Sequence, residues 1–352
     1  MWHAGLLSKL SAAGVSGSAF LWFEDFLTRR TQRTVVGPSV SAELSPSAGV
    51  PQGTVLIPLL LLVYVNDLPG AVSAGEANLF ADDTSVYVAD RDLRCLQRRL
   101  QTAVDEVQVW MEKWLVTVNA LKSAVMVFRT SHMAHASISL WINGELIKQV
   151  TVHRHLGLQL DECLTWSAHA AHVICKLSQR IGLLHRLRRR LPPPAIRDIY
   201  ISTLLPVADY ACIVWGPGLR KGDCAKLEKV HRRAARLISG TKLADNISHD
   251  LVLARADLSP LSVQRQFRLA QFASRFSKGF VPGHLLDSTD HWFTPPPVRS
   301  RSLRHSLAFR LPRAKKAILT QSPLFAALSL WNSFPQSLRS SSRSELKEHF
   351  FS

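Results

Sequence analysis

Two adjacent carboxylates, Asp82 and Asp83, are the residues whose type and spacing best suit a chemical role. They lie within ANLFADDTSVYVA, residues 77–89, between apolar flanks with β-branched side chains, a pattern typical of a tight hairpin with a two-residue acidic turn. Like charges a few ångströms apart repel each other unless a cation lies between them, and Mg²⁺ often takes one or two carboxylates together with substrate phosphates. The pair therefore suits a phosphoryl-transfer site, although taken alone it also fits an ordinary solvated turn.

A glycine-bracketed loop lies upstream of this pair. The segment AGVPQGT, residues 48–54, opens the uncharged apolar run Val55–Val65. Glycines let a backbone approach a nucleotide closely, and Gln52 can hydrogen-bond a base or a sugar edge. The alternative is a simple turn that leads into a core helix. The apolar run itself is too short to span a bilayer, so it predicts a core segment.

Helices and short strands must position these residues in the first half of the chain. Apolar spacing predicts helices within residues 1–34, interrupted at Gly14 and Gly17, and a strand at Thr34–Val36 followed by a loop up to Gly49. From Leu93 a stripe of apolar residues predicts an amphipathic helix of about 24 residues, capped by Asp90 or Asp92. Further strands are expected near residues 125–127 and 138–142, with Asn143 and Gly144 as a turn.

Past Trp166 the pattern changes to helices. Three are predicted: one whose apolar stripe runs from Val173 to Leu187 and is ended by the prolines at 192–194, one at about Ala195–Asp209, and one at Leu227–Ser239 with Gly240 as its C-cap. Residues 286–323 are rich in Pro, Ser and Arg, which predicts loose order. The segment 324–351 predicts a final helical hairpin or strap.

The charge of the chain is strongly uneven. Its 352 residues allow about two or three domains, and 47% hydrophobic content excludes a disordered chain. Residues 1–175 carry 13 basic and 15 acidic side chains, a net charge of −2, whereas residues 176–352 carry 30 and 11, a net charge of +19. Such a field attracts polyanions, and this favours RNA or DNA over the alternative of an acidic membrane surface.

Cysteine and histidine spacing indicates no zinc site. The five cysteines, without a CxxC pair, predict buried thiols in a reducing, intracellular compartment. His169 and His172 have a spacing that could bind a metal from one helix face, but without a third ligand a solvated or nucleic-acid-facing pair is favoured. The sequence shows no secretory signal and no membrane span, and nothing in it indicates an oligomer.

Several motifs together resemble a known family. The segment AGVPQGTVLIPLLLLVYVNDLP at 48–69, followed by LFADDTSVY at 79–87, resembles the reverse transcriptase of non-long-terminal-repeat (LINE-like) retrotransposons of animals. The similarity continues through KWLVTVNALKSAVMVF (113–128), HLGLQLDECLTW (155–166), PVADYACIVWGP (206–217), LEKVHRRAARLISG (227–240) and SLWNSFPQSLR (329–339). It implies an α+β polymerase chain: a partial palm at 1–165 with an antiparallel sheet, a basic helical thumb at 166–245 and a C-terminal extension at 246–352.

The resemblance also implies roles for individual residues. In that family Asp82 would bind two Mg²⁺ ions, Asp83 would support the site, and Lys122 would protonate the leaving pyrophosphate. Phe80 would contact the primer end. The other residues given a role are the nucleotide and template contacts Pro51, Gln52 and Gly53, the primer grip His155, Leu156 and Gly157, and the backbone-binding thumb residues Lys229, Arg232, Arg233 and Arg236. The implied partners are an RNA template, a DNA primer and deoxynucleoside triphosphates.

Departures from the family pattern predict a loss of activity. The opening MWHAGLLSKL resembles the segment just after the family's first catalytic-aspartate motif, so we expect that carboxylate and the fingers to be missing and the chain to be inactive. Neither Asp25 nor Asp67 is expected to replace the carboxylate. Ile57 stands where a small residue is usual before Pro58, and would obstruct a nucleotide. His155 stands where tyrosine is more usual. The alternative function is a non-catalytic RNA- or DNA-binding protein that retains the basic half.

Overall fold

The computed structural model describes residues 1–50, 53–130, 133–287, 309, 311–313 and 317–351. The chain divides into two compact units, Met1–Val127 with His132–Val150, and Phe128–Ser131 with Thr151–Ser352. Helices alternate with small sheets, which agrees with the expected α+β class. The division into three parts at residues 165 and 245 stays a prediction. The loose order predicted for 286–323 falls largely outside the described residues.

Within its described residues, the first unit combines α-helices with short strands. Its helices are α1 His3–Ala12, α2 Gly17–Thr28, α3 Ile57–Val65, α4 Leu68–Ala71 and α5 Leu93–Lys113, and its strands are β1 Val35–Val36, β2 Ser39–Val40, β3 Glu76–Phe80, β4 Asp83–Tyr87, β5 Ala124–Val125, β6 Trp141–Ile142, β7 Glu145–Leu146 and β8 Lys148–Gln149. The strands form two-stranded pairs, β1–β2, β3–β4 and β6–β7 antiparallel and β5–β8 parallel. These separate pairs differ from the single antiparallel sheet that was expected. Strand β2 also forms in a segment where a loop was expected.

The long amphipathic helix predicted from Leu93 is confirmed as α5. The Asp92 carboxylate caps it by accepting the Cys95 N–H at 2.8 Å. One face of α5 buries Ala103, Val107 and Trp110 against Leu68 and Val72, which forms a core beneath the β3–β4 hairpin.

The apolar segment at 55–65 is buried only in part, which corrects the prediction of a core segment. Helix α3 buries Leu60 and Tyr64 but leaves Leu59 and Leu62 more than half exposed, and Val55 before it is 89% exposed. A helix that is apolar on all sides still buries only the face that has a packing partner in its own unit.

The second unit is mostly helical. Its strands are β9 Val152–His155 and β10 Leu158–Asp161, and its helices are α6 Ser167–Leu187, α7 Pro193–Ile199, α8 Leu205–Asp209, α9 Cys212–Trp215, α10 Lys221–Ser239, α11 His249–Arg255, α12 Leu261–Ser277, α13 Gly283–Asp287, α14 Ala317–Thr320, α15 Pro323–Ser333, α16 Gln336–Arg339 and α17 Arg343–Phe351. A π turn, Tyr200–Leu204, joins α7 to α8. The predicted helices are confirmed, with α10 starting six residues earlier than expected and Gly240 closing it at φ +76°.

Two cores hold this unit together. Helices α6 and α10 pack on each other through the predicted stripe of α6, which includes Val173, Leu177 and Ile181, all almost fully buried. A second core joins α12, α15 and α17 around Trp331. Among the described residues, no helix is long and apolar enough to cross a membrane.

All five cysteines are free thiols, but the prediction that they are buried is wrong for most of them. Cys212 alone is buried, Cys175 is exposed on α6, and the others are partly exposed. The sequence did not separate these cases because cysteine fits either a core or a helix surface.

Candidate functional site

The β3–β4 hairpin carries the two predicted metal ligands. Phe80 pairs with Asp83, so the turn consists of Ala81 and Asp82, and Asp83 is the first residue of β4. The predicted hairpin is confirmed, whereas the turn is shifted by one residue from the expected Asp82–Asp83. Ala81 takes a left-handed conformation at φ +53°, which a two-residue turn often requires and which alanine does not signal in a sequence.

Strand alternation separates a buried face of this hairpin from an exposed one. Ala77, Leu79 and Val86 pack against the core formed by α4 and α5. Phe80 and Asp83 lie directly opposite each other, so their side chains share the other face, and Phe80 is 63% exposed. An aromatic ring and a carboxylate therefore stand side by side at the tip.

The base of the hairpin is fixed to α5. The Glu106 carboxylate accepts the Ser73 N–H at 2.7 Å and the Ala74 N–H at 3.1 Å. These bonds, and above all the one from the Ser73 hydroxyl, hold the pKa of Glu106 below its usual value. A Cβ at Gly75 would lie only 2.9 Å from a Val88 methyl group, so the close approach here requires glycine.

Asp82 and Asp83 suit a magnesium ion in their chemistry. Both are exposed, and in the part of the chain that the structure describes neither carboxylate has an ion-pair or hydrogen-bond partner. Mg²⁺ commonly binds one or two carboxylates and completes its shell with water and phosphate oxygens, so this donor set fits one side of such a site. Within the same described residues, no cluster of three or more His, Cys, Asp or Glu forms a metal site by itself.

The two other carboxylates considered from the sequence have cationic partners. Asp67 accepts a bond from the buried Lys9 ammonium at 2.5 Å, and Asp25 pairs with Arg29 at 3.3 Å. Burial lowers the pKa of Lys9, which Asp67 partly offsets. Each of these carboxylates therefore lies beside a cation, and the expectation that neither binds the metal stays a prediction.

The remaining predicted residues of the first unit are only partly described. Lys122 is the last residue of a 3₁₀ turn, Ala120–Lys122. The Asn119 side chain accepts the backbone N–H of Lys122 at 3.1 Å. The side chain of Lys122 is exposed. Gly53 has φ +86° and open space around it. Pro51 and Gln52 lie outside the described residues. The roles of these residues stay predictions.

The predicted primer-grip residues lie at the turn of the β9–β10 hairpin. His155 pairs with Leu158, and Leu156 and Gly157 between them have φ +45° and +84°. The Tyr210 hydroxyl donates to the Leu156 carbonyl at 2.8 Å, and a Cβ at Gly157 would lie 3.1 Å from the Tyr210 ring. The Tyr210 ring therefore packs closely against Gly157, where a larger side chain would be crowded.

A cationic pocket of about 400 Å³ adjoins this turn. Its cationic lining residues are Arg154, Lys176 and Arg180. The other lining residues are Gly157, His169, His172, Val173, Thr203, Pro206, Val207 and Tyr210. None of these lining residues is acidic. Sequence reasoning missed the pocket because its residues come from β9, α6 and the segment 203–210, and only the HAAH spacing pointed to it.

The histidine pair is not uniformly solvated, which corrects the prediction. His169 is 3% exposed, its Nδ1 accepts the Gln159 N–H at 3.3 Å, and its Nε2 has no partner among the described residues. Burial, with the nearby His172 and Lys176, lowers the pKa of His169 to about 4. Burial, Lys176 and Arg154 lower the pKa of His172.

Helix α10 places the four predicted backbone-binding residues around its polar side. Lys229 and Arg233 are exposed, whereas Arg232 and Arg236 are half-buried. The opposite face buries Leu227, Ala234 and Ile238 in the α6–α10 core. The exposed pair is therefore the part of this set best placed to contact a phosphate backbone.

Comparisons with known proteins support the resemblance. Residues 1–160 match the family described as "Reverse transcriptase (RNA-dependent DNA polymerase)". The chain is 30% identical over 250 residues to the RNA-directed DNA polymerase from mobile element jockey of Drosophila melanogaster, an alignment that covers 68% of this chain and 27% of that protein. It is 28% identical over 254 residues to the probable RNA-directed DNA polymerase from transposon BS of the same species, with the same coverages.

A third relative comes from another insect. The Pol polyprotein from the type-1 retrotransposable element R1 2 of Nasonia vitripennis is 26% identical over 177 residues, which cover 47% of this chain and 43% of that protein. The chain spans about a quarter of the length of the jockey and BS proteins. The motifs, the hairpin and these matches agree, and the chain belongs to the reverse transcriptases of non-long-terminal-repeat retrotransposons.

Proposed function

We propose that this chain supplies part of a site for RNA-directed DNA synthesis, with Asp82 and Asp83 as Mg²⁺ ligands. The observation that carries the proposal is the β3–β4 tip, where two exposed carboxylates lie beside an exposed aromatic ring on a hairpin fixed to α5. Bound there, Mg²⁺ would neutralise phosphate charge and favour attack by a hydroxyl oxygen.

The neighbouring residues would position the reactants. Phe80 offers an exposed ring on the same face as Asp83, which suits contact with the sugar or base at a primer end. Lys122 offers an exposed ammonium, which suits a leaving pyrophosphate. Gly53, together with Pro51 and Gln52, would contact the template and the incoming nucleotide.

The second unit would hold an RNA–DNA duplex through its phosphates. All of the +19 charge of residues 176–352 lies in this unit, and the pocket beside Gly157 offers several cations without a carboxylate among its lining residues. Such contacts bind a phosphate backbone without reading its sequence. The substrates proposed are an RNA template with a DNA primer, and deoxynucleoside triphosphates.

A ternary-complex measurement tests this function without requiring turnover. The full chain is bound to an RNA template with a chain-terminated DNA primer, and the dissociation rate is measured with and without Mg²⁺ and the complementary deoxynucleoside triphosphate. We expect Mg²⁺ with the correct nucleotide to slow dissociation. The double variant Asp82→Asn/Asp83→Asn should lose this effect, whereas Glu145→Gln, an exposed carboxylate at the first residue after another hairpin turn, should keep it.

The charge asymmetry favours a second candidate function, non-catalytic binding of RNA or DNA by the basic half. In that case binding weakens with salt but responds neither to Mg²⁺ nor to the nucleotide, in the wild type and in the double variant alike. Such a result would replace the first proposal.

The inactivity expected from the sequence stays a prediction, and primer extension measures it. Elongation that Asp82→Asn abolishes would contradict inactivity and support the metal role. Elongation that Asp82→Asn leaves unchanged would contradict the metal role.

A further inference from the structure

A tryptophan on the first unit is exposed where strand alternation predicts a surface position. In β6 and the residue before it, Leu140 and Ile142 point into a core and are almost fully buried, whereas Trp141 between them is 50% exposed. Its cross-strand partner Leu146 is 57% exposed. A large aromatic side chain in such a position offers a flat apolar face to a ligand.

Two glutamines of α5 hold this hairpin in place. The Trp141 N–H donates to the Gln101 side-chain oxygen at 2.9 Å, and the Gln101 amide donates back to the Trp141 carbonyl at 3.0 Å. Two helical turns further along, the Gln108 amide donates to the Asn143 side chain at 2.9 Å. The tryptophan backbone is therefore fixed before any ligand binds, which lowers the entropic cost of binding.

Two arginines share a shallow pocket with this tryptophan. The pocket, of about 390 Å³, is lined by Arg94, Gln97, Arg98, Gln101, Thr102, Ser139 and Trp141. Arg94 and Arg98 lie one helical turn apart on the outer face of α5, and both are exposed. In the described part of the chain neither guanidinium pairs with a carboxylate, so both are available to an anion.

We propose that this pocket, which we call the Trp141 pocket, binds single-stranded nucleic acid. One base stacks on the Trp141 ring, and the flanking phosphates contact Arg94 and Arg98. An aromatic platform beside backbone-binding cations is the combination that binds single strands with little sequence preference, since every base has a stacking face. A pocket of this volume accommodates about one nucleotide unit. The site is separate from the Asp82–Asp83 hairpin tip, and its binding does not require polymerisation.

The charge around the pocket argues for nucleic acid over a protein partner. The lining combines two guanidiniums, neither of which has a carboxylate partner among the described residues, with neutral Gln, Thr and Ser side chains and a single aromatic ring. A stable protein interface buries a larger, continuous apolar core, whereas Trp141 is the one large apolar side chain among the residues that line this pocket.

Photocrosslinking of the full chain tests the proposal. A short oligouridylate carrying 5-iodouridine, which crosslinks to aromatic rings stacked on it, is irradiated with the protein, and the attached residues are mapped by mass spectrometry. We expect a crosslink at Trp141. Trp141→Ala should remove it and weaken binding of the oligomer about tenfold, and Trp141→Phe should keep both.

A control variant and a second variant of the site make the result specific. Trp22→Ala removes a tryptophan of similar exposure that stacks on Phe26 outside the pocket, and it should change neither readout. The double variant Arg94→Ala/Arg98→Ala should make the salt dependence of binding weaker. The plot of log association constant against log salt concentration should become less steep by roughly 0.7 for each lost phosphate contact.

Two results would overturn the proposal. Crosslinks confined to other segments, with an unchanged affinity of Trp141→Ala, would exclude the site even if the basic helices bind RNA. A change in oligomeric state of Trp141→Ala without a change in RNA affinity would assign the surface to a protein contact instead.

Discussion

Phe80 and Asp83 face each other across the β3–β4 hairpin, so that an exposed aromatic ring and an exposed carboxylate share the outer face of its tip. The turn between them contains Ala81 and Asp82, which places the second carboxylate in the turn itself. The geometry therefore presents two carboxylates and one ring from a segment of only four residues. This arrangement depends on the left-handed conformation of Ala81, because a different turn would change the register and move Asp83 to the other face.

Replacement of Ala81 by glycine should stabilise the first unit. Ala81 has φ +53°, which costs an L-residue about 1 kcal/mol or more, whereas glycine adopts it freely. The free energy of unfolding in urea should rise by up to about 1 kcal/mol for Ala81→Gly. Ala77→Gly, in β3 of the same hairpin, should lower it, since glycine weakens a strand. Destabilisation by Ala81→Gly would contradict the turn geometry.

Replacement of Gly157 by alanine should cost more stability than replacement of Gly144. Both glycines lie in two-residue hairpin turns with similar φ, +84° and +78°, so the backbone strain is matched. A Cβ at Gly157 meets the Tyr210 ring at 3.1 Å, whereas Gly144 has open space around it. Urea unfolding measures the loss in unfolding free energy for each variant. Equal losses would show that the contact with Tyr210 does not contribute to the difference.

Stability should fall on acidification through the titration of His169. The pKa of this buried histidine is about 4 in the folded chain and about 6.5 when unfolded, so the unfolded chain binds the proton more readily between these values. The stability is complete above pH 6.5 and is lost progressively as the pH falls towards 4, by up to about 3 kcal/mol. His169→Gln should flatten this part of the pH profile. If the unfolding free energy of the variant falls with pH as steeply as that of the wild type, the pH dependence belongs to other groups.

Thiol labelling should separate the cysteines by burial. Cys175 is exposed on α6, whereas Cys212 is buried and burial raises its pKa to about 12. The thiolate is the nucleophile that attacks a thiol reagent, so native protein should label quickly at Cys175, and at Cys212 only after unfolding. Cys175→Ser should lower the number of thiols that label in the native protein by one, because Cys95, Cys163 and Cys224 are partly exposed as well. Rapid native labelling of Cys212 would contradict the packing of the α6–α10 core.

Much of the local structure could be predicted from the sequence because it depends on local patterns. The hairpin around Asp82, the helix from Leu93 with its Asp92 cap and the Asn143–Gly144 turn each carry a periodicity or a residue preference that acts over a few positions. The Ala81 turn carries no such preference, and this explains the one-residue error in the turn.

Features that depend on distant residues could not be predicted in the same way. The exposure of Leu59 and Leu62 depends on which surfaces pack against α3, and composition alone indicates only that the helix is apolar. The cationic pocket joins Arg154 on β9 with Lys176 on α6 and residues near 203–210, which no spacing brings together. The motifs therefore indicated the family and the candidate metal ligands, and the fold was needed to show which residues line the cationic pocket and the Trp141 pocket.

Metal-directed cleavage tests the central claim, that Asp82 and Asp83 bind a divalent cation, most directly. Fe²⁺ replaces Mg²⁺, and ascorbate with peroxide then generates radicals that cut the polypeptide next to the bound ion. We predict cleavage at the β3–β4 tip that excess Mg²⁺ suppresses and that Asp82→Asn/Asp83→Asn abolishes, while Glu145→Gln leaves it intact. Cleavage elsewhere in the chain, or at the tip of the double variant, would contradict the claim.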